Sequence, residues 1–302
     1  MDNVCHTLVG AACGEAGLKR LTRYGSATLM IAANLPDIDV LVFLTRIPSV
    51  AFRRGITHGV PAQVLLPLLC AAAVVLWDRV RPPADPTAPR ARWGWLVLLS
   101  YIGVLSHVGL DYLNNYGVRL LSPWSERWYY GDTLFIADPW LWLALGLGVR
   151  LSRRRAEVRP ARAALGLSVV YIAAMLASAT AARTTVSELW RQSSGHAPHA
   201  LMVGPIFADP FGKQVIIETG EGYAQGRFRW LPYGLRLEPD IVPRGDTAPE
   251  AVAAQLNPTV TALLRWSRFP HFEVEKAPWG ARVVVSDMRF GRYVAAASVQ
   301  VR

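Results

Sequence analysis

Cysteine is scarce in this 302-residue chain, and the three present (Cys5, Cys13, Cys70) form no C-x-x-C pair. That pattern excludes a disulfide framework and a thiolate zinc site, and leaves the thiols as small buried hydrophobes. Charge is thin as well, at 18% of residues against 52% hydrophobic. The balance favours one membrane domain plus a smaller soluble one over two soluble domains. The N-terminus has no cationic stretch followed by an apolar run and a cleavage site, so no signal peptide is expected.

What the chain does have is bunched apolar sequence. Val60–Trp77, Trp93–Leu110 and Ala161–Ala182 approach spanning length, and Leu134–Val149 is a shorter fourth run. A bilayer span needs about 20 mainly apolar residues. The formal net charge of +10 is not spread evenly. Arg79, Arg81, Arg90 and Arg92 share one short loop, while Arg150, Arg153, Arg154, Arg155, Arg159 and Arg162 share another. Short arginine-rich loops mark the cytoplasmic side. The charge therefore reads as a topology signal, and nucleic acid is not expected as a partner. With both loops inside, the chain from about Thr184 onward is extracytoplasmic. The expected architecture is an α-helical integral membrane domain (1–183), a juxtamembrane linker (184–198) and a small extracytoplasmic α+β domain (199–302).

This topology, built on arginines alone, gathers other polar residues. His58 opens one span and His107 closes the next, both at the outer end. Asp111 follows His107 by four positions, on the same helix face, and such a pair is a workable half-site for a divalent metal. "KRLTR" (Lys19–Arg23) is a basic turn between two apolar segments. Rising about 20 Å from that turn as helices, His6 and Asp37 reach one level. Asp37 and Asp39 lie in "NLPDID", where Pro36 prevents a full helical ladder, as in a broken helix lining a cavity. Ionisable groups at membrane depth are costly and usually functional; equally, the two aspartates could cap the helix after Pro36. Together His6, Asp37, Asp39, His58, His107 and Asp111 form an N/O donor set compatible with zinc, manganese or iron. Arg46, Arg53 and Arg54 run against the charge pattern. Either they bind an anion such as phosphate, or the first hairpin sits differently. Asp132 and Asp138, in the aromatic stretch before the last runs, are candidate supporting or substrate-contacting groups. His196, His199 and His271 lie apart and are not counted.

From about His199 the pattern becomes short β-rich runs separated by Gly, Pro and charges. Between them, "APEAVAAQLNPTVTALLRWSRF" reads as helical, interrupted near Pro258. This region has no P-loop, no G-x-G-x-x-G and no nucleophile elbow. Asp209, Glu218, Glu273 and Asp287 have no sequence neighbour that suggests catalysis and are expected to be solvated strand-edge charges.

The runs "MDNVCHTLVGAACGEAG", "NLPDID", "RRGITHG", "SHVGLDYLNNYGVRLLSPWSERWYYGD" and "LFIADPW" resemble the YdjM-like family of bacterial inner-membrane proteins described as metal-dependent hydrolases. They cover most of the first 150 residues in order. "LRWSRFPHFEVE" and "SDMRFGRY" look like the tail of longer members. The resemblance implies a multi-pass inner-membrane protein, hydrolytic chemistry, and metal ligands at His6, Asp37, Asp39, His58, His107 and Asp111. A more distant similarity runs to the helical zinc phospholipase C and P1 nuclease group, which hydrolyses phosphodiesters, although its full ligand set is not matched.

The expected function is hydrolysis of a lipid or lipid-linked phosphoester at the outer membrane face, with zinc as the first-choice metal. Asp39 serves as base and Arg54 stabilises developing charge, while Arg53, Asn114, Asp132 and Asp138 contact substrate. The alternatives are non-catalytic: a structural metal site, a transporter, or a scaffold working through the tail. An ion relay would need charged or histidine side chains across the bilayer, and no Asp, Glu, His, Lys or Arg occurs in Val60–Trp77 or before Ser106 in the following run.

Overall fold

The computed structural model describes residues 1–45, 47–85, 87–290 and 296–301; Arg46 lies outside them. It divides into two compact units, Met1–Val40 with Arg53–Ala177, and Leu41–Phe52 with Ser178–Arg302.

The first unit opens with α1 (Asn3–Glu15), capped by the Asp2 side chain, which accepts from the Val4 and Cys5 amides. A 3-10 turn at Leu18–Arg20 leads into α2 (Gly25–Ala32). The two helices approach closely because Gly10 has no side chain: a Cβ there would stand 2.8 Å from the Leu29 carbonyl oxygen. After α2 the chain bends by 50° into a 3-10 helix, Leu35–Leu44. Pro36 cannot donate to the ladder, and the Asn34 side chain takes over the helix end, donating to the Met30 carbonyl at 2.8 Å and to Thr7 Oγ1 at 2.9 Å. The expected broken helix is therefore present, and it is tied to α1 where it breaks.

Helices α4 (Val60–Val80) and α5 (Trp93–Tyr112) form the next pair, followed by α6 (Pro139–Arg155) and α7 (Arg159–Ser194). Among the described residues, α4, α5 and α7 are long and apolar enough to cross a membrane; the bent pair makes a fourth if counted as one span. The fourth run, Leu134–Val149, is offset from its helix, α6, which at 17 residues is shorter than those three. Asp138 caps a helix that starts only at Pro139, and this helix closes on Arg153, Arg154 and Arg155. Residues 184–194, expected as linker, are the last turns of α7, and the non-helical connection before the sheet is much shorter.

Three connections of this unit meet at one end, held by charge. Arg23 from the first turn and Arg90 from the loop before α5 both bind Asp78 at the end of α4, each at 2.8 Å. Arg153 reaches Glu15 at the end of α1 at 3.0 Å, and Lys19 pairs with the same carboxylate. The basic loops thus share a physical face as well as a charge sign.

In the second unit, α3 (Ser49–Phe52) precedes a tail of two antiparallel sheets. The first is a meander of β1 (Ala200–Ile206), β2 (Asp209–Glu218), β3 (Tyr223–Trp230) and β4 (Tyr233–Val242). It packs on the C-terminal half of α7, where Ala182 and Val186 meet Val203, Val215, Ile217 and Phe228. Helices α8 (Pro249–Ala254) and α9 (Pro258–Trp266) break at Pro258, as expected, with Asn257 capping the second. The second sheet is β5 (Pro270–Ala277), β6 (Gly280–Asp287) and β7 (Ala296–Val301). Asp287 is not a solvated edge charge. It is fully buried and accepts from the Arg268 and Arg289 amides and from Arg289 Nε, each at 2.8 Å. The Arg289 guanidinium also lies over the Trp266 ring, 4.6 Å from its centroid. Burial alone would push the Asp287 carboxyl up, but Arg289 and these donors hold it below the ordinary carboxylate range. Asp209 and Glu218 are paired too, with Arg229 and Arg244, both at 2.6 Å.

Candidate metal centre

Four side chains from three separate segments converge in the first unit. Asp37 stands in the first turn of the 3-10 helix, His58 just before α4, and His107 and Asp111 one turn apart on α5. All four are buried, with His58, His107 and Asp111 at 0% exposure, and one ligand atom from each lies within 4.8 Å of the others.

The glycine pattern places α5. A Cβ on Gly103 would stand 2.6 Å from the Ala32 Cβ, so α5 can lie against the end of α2 only without one. That contact sets His107 Nδ1 at 2.7 Å from the Ala33 carbonyl oxygen. A carbonyl only accepts, so Nδ1 carries the hydrogen and Nε2 of the neutral ring is left as a lone pair. His58 is fixed in a similar way. Thr57 Oγ1 donates to Asp39 Oδ2 at 3.0 Å, which leaves the hydroxyl to accept from His58 Nδ1, also at 3.0 Å. The Nε2 lone pair of His58 then points inward as well.

The consequence is electrostatic. The two Nε2 atoms lie 3.2 Å apart with no hydrogen to share. Asp111 Oδ2 is 3.2 Å from the first and 3.5 Å from the second. Asp37 Oδ1 is 4.0 Å and 3.8 Å from the same nitrogens. Both oxygens are buried without a hydrogen-bond donor, although Arg54 Nε lies within ion-pair range of Asp111 Oδ2, at 3.1 Å. Two lone pairs and two carboxylate oxygens aimed at one point repel unless a cation sits between them. Donors on a tetrahedral zinc, bound at about 2.0–2.1 Å, lie about 3.3 Å from one another. Three of the four donors meet that spacing and Asp37 is the outlying corner. The residues fit a divalent ion of the N/O class.

The other candidate residues surround this group. His6 stacks on His107 with ring centroids 3.8 Å apart, and its Nε2 is 3.3 Å from Asp111 Oδ1, an oxygen also contacted by the Met1 amino group. Asp39 Oδ2 accepts from the Arg54 amide at 2.7 Å and from Thr57, so this carboxylate supports the group from outside the four. Arg54 is held in the left-handed region (φ 52°) by that bond and by the Arg119 amide on its carbonyl. Its guanidinium is taken up by Asp111, by Asn114 Oδ1 at 3.1 Å and by the Tyr116 ring face. It is therefore placed to position Asp111, with its side chain only 6% exposed. Arg53 is the more open of the pair, a quarter exposed, 3.6 Å from Asp37 and 3.5 Å from Asp39. Asn114 is fully buried and bonded to the Tyr116 and Gly117 amides as well as to Arg54. Asp132 is buried in the left-handed conformation (φ 49°). Asp138 has both oxygens committed to the fold: one caps α6 and the other accepts from Tyr171 at 2.9 Å. The substrate contact expected of Asp138 gives way to this capping role.

Sequence reasoning did not find Thr57 or the Ala33 carbonyl. Thr57 adjoins His58 in "ITHG" and offered only that adjacency as a signal; a main-chain oxygen offers none. The three cysteines are unpaired, with Cys5 and Cys70 buried.

A family model described as "YdjM inner membrane protein" matches residues 1–183, a span that includes every residue of the centre. The Bacillus subtilis (strain 168) protein named "Uncharacterized protein YfhP" is 28% identical over 153 residues. That alignment covers 48% of this chain and 44% of the relative, so the chain spans less than half of that protein's length. No solved structure matches the chain.

Proposed function

The chain belongs to the YdjM inner membrane protein family, and from that premise we propose that it is a membrane-bound, metal-dependent hydrolase of a lipid or lipid-linked phosphoester, working at the extracytoplasmic face. The observation that carries this reading is the convergence of two inward imidazole lone pairs with two buried carboxylate oxygens that have no hydrogen-bond donor. Asp37, His58, His107 and Asp111 would hold the ion, with His6 and Asp39 beside them, and zinc suits the donor set first, then manganese or iron. A divalent ion bound there supplies Lewis acidity to a phosphoryl oxygen and lowers the pKa of a water toward neutrality.

The chain's own residues do the rest. Asp39 Oδ1 is buried and accepts no hydrogen bond, while its partner oxygen is pinned by Arg54 and Thr57. It is the base that takes the proton as the water oxygen bonds to phosphorus and the ester P–O bond breaks, and it returns that proton to the departing alkoxide, which leaves as the alcohol. Arg53, partly open beside both aspartates, steadies the phosphoryl oxygens. Arg54 and Asn114 position Asp111.

A lipid is favoured by an apolar cavity of about 540 Å³ between the bent pair and α4, with Ala27, Ile31, Leu35, Leu66 and Ala73 among its lining. Leu35 and Ile38 of that wall flank Asp37, so an acyl chain lying there would bring its headgroup to the centre.

The complete burial of three donors favours a second reading, a structural metal site without turnover. The two separate in one experiment. Metal content is measured by elemental analysis on detergent-purified wild type, His58→Ala and His107→Ala, followed by phosphoester and phospholipid hydrolysis. Near-stoichiometric metal, lost in both variants together with hydrolysis, is the expected result. Full metal with no hydrolysis of any phosphoester supports the structural reading, and absence of metal in a folded wild type overturns both.

A further inference from the structure

The four-stranded sheet in the second unit turns twice at the same end, at 206–209 between β1 and β2 and at 230–233 between β3 and β4. Large apolar side chains stand exposed at both turns: Phe207 (55%) and Phe211 (50%) at one, Leu231 (65%) and Tyr233 (63%) at the other. Large apolar groups exposed at both turns of one sheet end are unusual on a water-soluble surface and mark an interaction site.

Charge gathers just behind the tips. The register sets Arg227 of β3 directly opposite Arg236 of β4. Like charges opposed across an antiparallel pair destabilise it, and no ion pair relieves either arginine among the described residues. Arg229 beside them is already bound to Asp209. The three arginines, with Pro232, Tyr233 and Glu238, wall a concavity of about 500 Å³. An anion between Arg227 and Arg236 would remove the repulsion.

Helix α7 shows what lies against this end. Its apolar run, 161–182, stops at Arg183, yet the helix continues unbroken to Ser194. Trp230, at the β3–β4 turn, donates from Nε1 to Ser178 Oγ at 2.9 Å. Ser178 lies inside the apolar run, about 7 Å along the helix before Arg183. That bond sets the β3–β4 turn beside the end of the run, and because an antiparallel meander turns at alternate ends, the β1–β2 turn lies at this end and the β2–β3 turn at the other. The tips therefore stand at the depth where a bilayer crossed by α7 has its interface.

We infer that this end of the sheet docks on the surface of the bilayer that α7 crosses. Phe207, Phe211, Leu231 and Tyr233 enter the interface, and Arg227 and Arg236 take the phosphates of anionic phospholipid. Aromatic side chains favour that depth, and arginines near anionic headgroups are held there by surface potential. The inference is independent of the metal centre and of which face of the membrane the sheet occupies.

Spin-label accessibility in nanodiscs tests it on the full-length chain. Labels are placed at Leu231→Cys and, as the aqueous control at the opposite turn, Glu221→Cys; the wild type, with its cysteines buried or half-buried, is the labelling blank. In discs containing phosphatidylglycerol, the label at 231 should collide several-fold more with oxygen than with an aqueous nickel chelate, relative to the label at 221. Adding Arg227→Gln with Arg236→Gln should shift the 231 label toward the chelate. The inference is overturned if the 231 label is as aqueous as the control, or is unmoved by the double variant. It is equally overturned if that label is shielded from both reagents, as a protein–protein contact would leave it.

Discussion

Thr57 is a small residue with a directional role. Its hydroxyl donates to Asp39 and accepts from His58, which turns a lone pair of His58 inward. Thr57→Val keeps the shape and removes the hydroxyl, leaving His58 free to adopt the other tautomer. Groups that orient metal ligands typically contribute 10–100-fold to affinity. Thr57→Val should therefore bind zinc about 10–100-fold more weakly with unchanged helicity, read by competitive titration against a chelator, and Thr57→Ser should restore it. Unchanged affinity would mean that the Thr57 hydrogen bond does not hold the ring. At this scale the four converging side chains, Asp37, His58, His107 and Asp111, were legible, because histidine and aspartate inside apolar runs are conspicuous. Their orienters were not: Thr57 is an ordinary residue in sequence, and the Ala33 carbonyl belongs to no side chain. Arg54 was legible as a charge but not as a positioning group, since its partners Asp111, Asn114 and Tyr116 are about 60 residues away in the chain.

At the scale of elements, the contact between α2 and α5 connects packing to the centre. Gly103→Ala forces a methyl into the Ala32 contact, and overpacking of this kind costs about 1–3 kcal/mol. Because the same contact holds His107 against Ala33, the variant should lose metal affinity along with thermal stability, measured by metal titration and by unfolding in detergent. A stability loss with full affinity would separate the helix contact from the site. In the tail, the Asp287–Arg289 pair makes a different prediction. The Asp287 carboxyl is held below its ordinary value in the folded state. Its contribution is thus complete above the unfolded value, about 3.9, and is lost as pH falls through the lower folded value. Asp287→Asn leaves a buried guanidinium unpaired, a change that typically costs about 3–5 kcal/mol. Hydrogen exchange of the 258–290 region should be much faster in the variant at pH 7, with the gap to wild type narrowing only below about pH 4. The elements themselves were largely readable: the long helices from apolar length, the break from Pro36 and Pro258, strands from alternation and turns. Two were not, for physical reasons. The run 134–149 misplaced its helix: Asp138 caps it five residues in, and it continues past Val149 to Arg155. Residues 184–194 stay helical because a polar surface does not stop a helix already nucleated by its apolar part.

At the scale of the whole molecule, the arginine-rich loops do two things at once. They carry the charge bias that orients a membrane protein, and several of them also close one end of the helical unit: Arg23 and Arg90 on Asp78, Arg153 on Glu15, and Arg162 on the Ala16 carbonyl. The basic turn at 18–23, the loop at 81–92 and the junction at 156–158 meet there, while Asp37, His58 and His107 meet at the far ends of the same helices. An orientation that placed this basic end outside would have to carry the whole arginine set across the membrane, against the bias that normally sets topology. The expected arrangement therefore keeps these loops cytoplasmic, with the centre and the tail on the other side. In spheroplasts, a membrane-impermeant maleimide should label Glu221→Cys in the tail without permeabilisation, and Ala84→Cys in the 81–92 loop only after it. The wild type serves as the blank. The reverse pattern would turn the molecule over and put the centre at the cytoplasmic face, where a lipid-linked substrate would have to be sought in the inner leaflet. Labelling of both positions in intact spheroplasts would instead break the link between the loops and the charge rule. The metal chemistry would then stand on the convergence of its donors alone.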